Sequence, residues 1–214
     1  MKGFLGSRLP YFLCLPALLL MTGVLHADPI FSENFNEATV GLGVTTAGAF
    51  SAINGTNVDV VGGSTFGYLC SGPESGNCVD LGGSNGKNPS GALQLSTSLN
   101  LAPGTYNLSF DLIGSQRGTT TMTTVVFGGV AQTFVLASND LTSGIVTDWA
   151  VTVAGGETQL EFIDNSAPDN IGALLDNVSI SAASTSPVPE PESMVLMATG
   201  LLGFAGIIRR RFMA

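Results

Sequence analysis

Positive charge is what this 214-residue chain has least of. It carries seven Lys and Arg against sixteen Asp and Glu, and a single histidine. Five of the seven cations sit in the terminal segments, at Lys2, Arg8 and Arg209 to Arg211. Between Asp28 and Ser186 only Lys87 and Arg117 stand against fourteen acids, a net charge of −12. Such a surface repels nucleic acid, whose binding rests on Lys and Arg contacts to phosphate. It also lacks the cationic clamps of phosphoryl transfer. The lone histidine, His26, precedes Asp28, so the middle of the chain can build neither a Ser-His-Asp nor a Cys-His arrangement. A His-based zinc or copper site is excluded on the same ground. The glycine cluster Gly82-Gly83-Ser84-Asn85-Gly86 lacks the Lys-Ser/Thr ending of a phosphate loop and reads as plain loop. Sustained helical spacing is also missing from this middle region.

Both ends are apolar. Lys2 and Arg8 precede an uncharged stretch from Leu9 to Leu25, and Ala27 is followed by Asp28. That order predicts a helical signal peptide over residues 1–27, cut by signal peptidase after Ala27, with an uncleaved anchor as the alternative. At the other end, Val188-Pro189-Glu190-Pro191 leads into a charge-free run from Met194 to Ile208, then Arg209, Arg210 and Arg211. The prolines keep the approach extended. The run predicts a single transmembrane helix over 193–208. Its fifteen apolar residues rise roughly 22 Å, short of the about 20 residues a bilayer core asks for, a gap that local thinning and snorkelling arginines close. The arginines stay on the cytoplasmic side and place everything before Pro187 outside. A buried helix of a soluble domain would show a polar face, and this one has none.

Those residues, 187 to 211, resemble the PEP-CTERM sorting signal of Gram-negative bacteria: Val188, Pro189, Glu190 and Pro191, a short Gly/Leu-rich span, and the cluster Arg209, Arg210, Arg211. The resemblance implies cleavage near the motif by an exosortase, and so an exported protein. Its precursor is held in the inner membrane before it reaches the cell surface or the surrounding exopolysaccharide. The chain then divides into a signal peptide (1–27), a cargo domain (28–181), a Ser/Thr/Pro linker (182–187) and the sorting segment (188–214).

The cargo is written in strands. Tyr106, Leu108, Phe110 and Leu112 alternate with Asn107, Ser109 and Asp111, a period of two with one face buried. Leu93, Leu95, Leu99 and Leu101 alternate before the turn at Ala102 to Thr105, which predicts a hairpin into Tyr106. Further strands are expected at 30–35, 50–53, 58–61, 121–126, 133–136, 145–153, 158–163 and 174–180. Gly128-Gly129 and Gly155-Gly156 are expected hairpin turns, and 71–91 is expected to be loop. So many short strands predict an all-β, antiparallel β-sandwich, a jelly roll. Cys14 leaves with the signal peptide. Cys70 and Cys78 remain as an even pair in an oxidising compartment, which predicts a disulfide.

The acids are the chemical candidates. Asp111, Asp164, Asp169 and Asp176 are possible members of a glycosidase carboxylate pair, which needs only two acids at a set separation, but their spacing selects none. In Leu174-Leu175-Asp176-Asn177-Val178-Ser179-Ile180, strict alternation turns Asp176 toward the core with Leu174, Val178 and Ile180. An inward carboxylate needs compensation. Two readings stand: a structural Ca²⁺ held with Glu33 or Asn34, or backbone N–H donors. Arg117 is read as pairing with an acid such as Asp111 or forking onto an acidic sugar.

Phe31-Ser32-Glu33-Asn34-Phe35, Leu101 to Asp111 and Leu175 to Ile180 resemble carbohydrate-binding-module-like, galactose-binding-type jelly rolls. That resemblance implies a sugar ligand and a calcium ion joining Glu33 to Asp176. Trp149, Tyr68 and Arg117 are then the ligand-binding candidates, with Trp149 equally readable as core and Tyr106 as buried. The leading function is a non-enzymatic surface or matrix protein that binds or organises exopolysaccharide. A polysaccharide hydrolase and a structural coat protein without a ligand are the alternatives.

Overall fold

The computed structural model describes residues 28–70, 76–85 and 91–183, together with Met197, 199–201, Ile208, Arg209 and Arg211. The expected signal peptide lies outside the described residues, as do Val188, Pro189, Glu190, Pro191, Arg210 and most of the expected 193–208 helix. The few described positions of that C-terminal segment are helical and exposed. Among the described residues no helix is long and apolar enough to cross a membrane.

The described residues of the domain form fifteen strands: β1 (Pro29–Glu33), β2 (Gly41–Val44), β3 (Thr46–Ala47), β4 (Phe50–Ala52), β5 (Val58–Val61), β6 (Cys78–Asp80), β7 (Ala92–Leu95), β8 (Leu99–Leu101), β9 (Gly104–Ile113), β10 (Thr121–Phe127), β11 (Val130–Leu136), β12 (Gly144–Val153), β13 (Gly156–Thr158), β14 (Leu160–Asp164) and β15 (Leu174–Ala182). One sheet runs β12-β9-β15-β6-β5-β2, with β1 also pairing along β15; a second runs β11-β10-β14-β7-β4-β3, and β13 and β8 form a separate two-stranded sheet. All pairings are antiparallel. The two sheets enclose one core, an all-β sandwich.

Alternation explains which side chains meet. Tyr106, Leu108, Phe110 and Leu112 of β9 point inward from one sheet; Val125, Phe127, Leu160 and Phe162 of β10 and β14 point inward from the other. Phe110 bridges the layers, its ring centroid 5.4 Å from Phe162 and 5.6 Å from Phe134, both edge to face. Phe50 continues the chain of rings 6.0 Å from Phe162. Each buried Phe contributes roughly 1.5–3 kcal/mol through area removed from water, and edge-to-face pairing adds about 0.5–1.5 kcal/mol. Tyr106 is buried and donates its hydroxyl to the Ala102 carbonyl at 3.0 Å.

Several expectations change. The hairpin from the leucine run into Tyr106 does not form: β7 pairs β4 and β14, β8 pairs β13, and β9 pairs β12 and β15. Gly128-Gly129 does close a hairpin, with Phe127 opposite Val130 and both glycines at positive φ. Gly155-Gly156 turns the chain away to β8 instead of back onto β12. β6 lies inside the stretch expected to be loop, where Cys78-Val79-Asp80 fills the slot between β5 and β15.

Candidate functional site

The outer face of the larger sheet carries most of the chemistry. β5 and β6 send Val58, Val60 and Val79 into the main core, so Asp59 and Asp80 point the other way and stand directly opposite each other. Loops pass over them and bury both; Asp59 is 2% and Asp80 1% exposed. Asp59 accepts the backbone N–H groups of Gly43 (2.6 Å) and Ser84 (2.9 Å), and its Oδ2 accepts the Ser84 hydroxyl. Asp80 Oδ1 accepts the N–H groups of Gly82 (2.9 Å) and Gly172 (2.8 Å). Gly82 and Gly172 touch so closely that a Cβ on either would strike the other's backbone nitrogen. Arg117 completes the cluster by an ion pair to Asp80 Oδ2, and donates to the Asn170 carbonyl at 2.9 Å. Burial pushes the Asp80 carboxyl up to about 7, against the downward pull of Arg117 and the two glycine N–H groups. Arg117 is 28% exposed, so water weakens its attraction. These two carboxylates therefore staple three loops to the sheet.

The sequence singled out neither. Val58-Asp59-Val60 and Val79-Asp80 do alternate, but nothing local shows that distant loops cover the polar side. Arg117 pairs with Asp80 of β6 and not with Asp111 of β9, two strands away across β15.

Asp176 faces outward, against the expectation from strict alternation. The register of β15 against β9 shifts between Asp176 and Ser179, and Asn177 takes φ 51°. That bulge flips the parity: Leu175, Val178 and Ile180 enter the main core, while Leu174 joins a second cluster outside it. Asp176 lies opposite Asp111, and Asn177 Nδ2 donates to Asp111 Oδ2 at 2.9 Å. Asp176 Oδ1 accepts the N–H of Asn177 at 2.7 Å.

Glu33 is a clamp. Its Oε1 accepts the N–H of Phe35 (2.8 Å) and its Oε2 that of Ala49 (2.7 Å), so it fixes Phe35 at φ 53° and ties β1 to the turn before β4. Asn34 Oδ1 accepts from Asn36 N at 3.2 Å. Among the described residues no group of three His, Cys, Asp or Glu is arranged to hold a metal ion. A cavity of about 390 Å³ opens beside Glu33, Asn34 and Asn177. Of the other acids considered, Asp164 is buried and held above the usual carboxylate range by that burial, with Oδ1 accepting from Ser166 N; Asp169 accepts from Ile171 N.

The ligand candidates separate. Trp149 lies opposite Leu108 and packs against the core. Tyr68 is 70% exposed, on the 3-10 turn Gly67–Leu69. Beside it is Phe66, 47% exposed, with ring centroids 6.3 Å apart. Sequence reading missed Phe66. Its signal was composition alone: an aromatic among Gly, Ser and Thr, where no core strand can claim it. Phe66 has φ 54°, a conformation that bulky residues adopt only when surroundings impose it. The Gly62↔Thr65 bridge precedes it. The Cys70–Cys78 disulfide closes the loop behind it, with Cα atoms 5.7 Å apart. Leu69, Cys70 and Cys78 pack on Val61, Ile113 and Leu174, pinning this loop to the beginning of β15.

A family model for the PEP-CTERM protein-sorting motif matches residues 187–211. No curated protein matches the chain. In fold it is similar to the CBM22-1 xylan-binding domain of Paenibacillus barcinonensis Xyn10C (15% identity, TM-score 0.47, covering 75% of this chain and 97% of that one). It is also similar to the CBM35 module from Paenibacillus barcinonensis (16%, TM-score 0.41, 72% and 99%), and to a CBM36 module in complex with calcium and xylotriose (20%, TM-score 0.42, 71% and 100%). It is also similar to an exo-beta-1,3-galactanase from Phanerochaete chrysosporium (15%, TM-score 0.38), the match covering 70% of this chain and 29% of that one. The chain thus carries a PEP-CTERM sorting motif behind an all-β sandwich.

Proposed function

We propose that this is an exported, exosortase-sorted cell-surface protein, held in the inner membrane by the 193–208 helix before release, whose sandwich binds exopolysaccharide without cleaving it. The sorting motif supports the export and the processing. The observation that carries the binding is the exposed Phe66–Tyr68 pair. Adjacent exposed apolar side chains mark an interaction site more than scattered single ones do, and here the loop displays two aromatics side by side in spite of backbone strain at Phe66. Aromatic faces supply much contact area at small entropic cost, and Tyr adds a polar handle. Leu69, next to the pair, packs on Leu174 at the start of β15, and Ala182 lies at the other end of that strand.

The four acids first considered for hydrolysis support a non-catalytic reading. Asp164 and Asp169 cap backbone N–H groups, Asp111 accepts from Asn177, and Asp176 caps its neighbour. Affinity electrophoresis of the full-length chain in detergent, through gels carrying exopolysaccharide from a Gram-negative matrix, tests the proposal. Retardation should be lost in Tyr68→Ala, roughly a tenfold or greater weakening for an anchor aromatic. An exposed site costs under about 0.5 kcal/mol in stability. Unchanged retardation in both Tyr68→Ala and Phe66→Ala would remove the platform. Release of reducing sugar by the wild type would replace binding with hydrolysis.

A further inference from the structure

One edge of the sandwich lacks the protection that the others carry. Proteins blunt open sheet edges with short strands, bulges, charges or prolines, because unpaired backbone groups invite another strand. Among the strands that end the two main sheets, β3 has two residues. The register of β2 shifts between Gly41 and Val44, and that of β1 between Pro29 and Phe31. β12 shifts between Val146 and Trp149, where Asp148 takes φ 59°. β11 has none of these devices. Its seven residues, Val-Ala-Gln-Thr-Phe-Val-Leu, hold no charge, proline or glycine. Its register against β10 is unbroken from Val130 to Leu136.

Hydrogen-bond parity identifies the open groups. A two-residue loop closes on a hydrogen-bonded pair, here Phe127↔Val130. Val125↔Gln132, Thr123↔Phe134 and Thr121↔Leu136 repeat that pairing. The intervening residues of β10 turn toward β14 instead; Met122 O accepts the Asn165 N–H at 2.7 Å in line with them. The N–H and C=O groups of Ala131, Thr133 and Val135 therefore point off the edge of the sheet. All three residues are exposed, and no strand pairs with that side of β11 among the described residues. On the outer face beside them Met122 stands opposite Val135, 38% and 65% exposed, an apolar strip along the edge.

We propose that β11 is a self-association edge, through which two copies of this chain pair antiparallel and join their smaller sheets into one. This goes beyond glycan binding and does not depend on it. Charge selects a second copy as the occupant. Two domains of charge −12 repel each other over most of their surfaces, but from Gly118 to Asn139 no residue is charged. The β10–β11 hairpin is thus where like-charged copies can meet, and it offers a cationic partner nothing. The strand is also complementary to itself. A two-fold axis at Thr133 sets Thr133 against its own copy and Ala131 against Val135 of the other copy, so outward-pointing backbone groups meet outward-pointing ones. Thr–Thr and apolar cross-strand pairs are favourable, and the contact is isologous and closes on a dimer. One added strand buries less than the about 1,200 Å² of a stable interface, so the dimer is weak in dilute solution. A sorting motif common to all copies gives them one address, and crowding there raises the effective concentration.

Disulfide trapping of the full-length chain in detergent tests this, in a Cys14→Ser background and over a concentration series into the millimolar range. Directly opposed residues of a hydrogen-bonded pair lie about 5.5 Å apart at Cα, within disulfide reach. Thr133→Cys should therefore give a reducible dimer under mild oxidation. Gln132→Cys, exposed on the same strand but off the axis, should give at least roughly tenfold less, since Cα atoms more than about 7 Å apart are not bridged. Sedimentation equilibrium supplies the second readout, without oxidant. Thr133→Glu sets two carboxylates directly opposite each other and should weaken the dimer at least roughly tenfold, with its Tm close to the wild type's. Thr133→Pro, which removes only an N–H that points off the edge, should act likewise. Equal trapping at 132 and 133 overturns the proposal, as does no trapping at 133, or a dimer that both variants leave unchanged, which would place the contact elsewhere, such as the apolar C-terminal run. Trapping of Thr133→Cys on the cell surface onto a different protein, identified by mass spectrometry, in place of its own copy, overturns the choice of occupant and the proposal with it.

Discussion

Raising the pH from about 4 to above 7 should destabilise this domain, and Asp80 should account for much of the loss. Its carboxyl is buried and its pKa is lifted from 3.8 to about 7. The folded state therefore holds a proton that the unfolded state releases. A raised folded pKa gives stability that is fully present below 3.8 and lost as pH climbs through 7. At 1.36 kcal/mol per pH unit the change is at most about 4 kcal/mol, on the order of 10 °C in Tm for a domain of this size. Asp164 is raised by burial as well and adds in the same direction. The assay is urea or thermal unfolding at intervals from pH 4.5 to 8.5, on wild type and Asp80→Asn. At low pH the wild-type side chain is a neutral acid, so the substitution exposes mainly the loss of packing and hydrogen-bond geometry. Above pH 7 the wild type carries a buried charge that the variant lacks. The penalty of Asp80→Asn should therefore shrink as pH rises, by up to about 4 kcal/mol. Parallel stability curves for the two proteins, or a penalty that grows with pH, would refute the reasoning.

Other outcomes follow from the same geometry. Arg117→Met removes the attraction that opposes burial at Asp80, so the pH-dependent loss should extend beyond pH 7 in the same unfolding assay. Cys70→Ser with Cys78→Ser should lower stability by roughly 2–3 kcal/mol, the chain-entropy value for so short a loop, and weaken glycan retardation by loosening the Phe66–Tyr68 turn. Phe162→Ala, which leaves a cavity beside Phe50 and Phe110, should cost about 3–5 kcal/mol in chemical denaturation. Mass spectrometry of protein recovered from the cell surface should find neither the first 27 residues nor Arg209 to Arg211; retention of that cluster would rule out the cut at the sorting motif.

Period-two alternation was enough to read β9, because that strand runs without interruption and shows one face to the core, and the number of short strands was enough for the class of fold. Where the pattern broke, a non-local cause was at work. Asn177 looks like any polar residue of a strand, yet its left-handed backbone reverses the facing of everything before it, and Asp176 moves from core to surface. Asp59 and Asp80 are acids among valines, and only the covering loops turn them from solvated groups into buried ones. Pairing partners were the least legible: each leucine of 93–101 sits where a strand should be, but β14 and β13 claim these residues from some sixty positions away. Of the ligand candidates, Tyr68 was visible as an aromatic no strand required. Trp149 could be assigned only once Leu108 was seen opposite it.

β15 also has a mechanical meaning. Its first residues carry the cluster that braces the aromatic loop, and its last lead into the tether. A polymer pulling on that loop while the tether holds fast would draw the force along this strand. β15 is antiparallel to β9 from Leu174↔Ile113 to Ala182↔Tyr106, and β1 grips its other side over Pro29 to Glu33. Tension along the strand axis loads both ladders in shear, so many hydrogen bonds must slip together; a pull across the axis would open them one at a time. If the aromatic loop is the glycan platform proposed above, a domain loaded at opposite ends of this one strand would resist tension best along the strand axis.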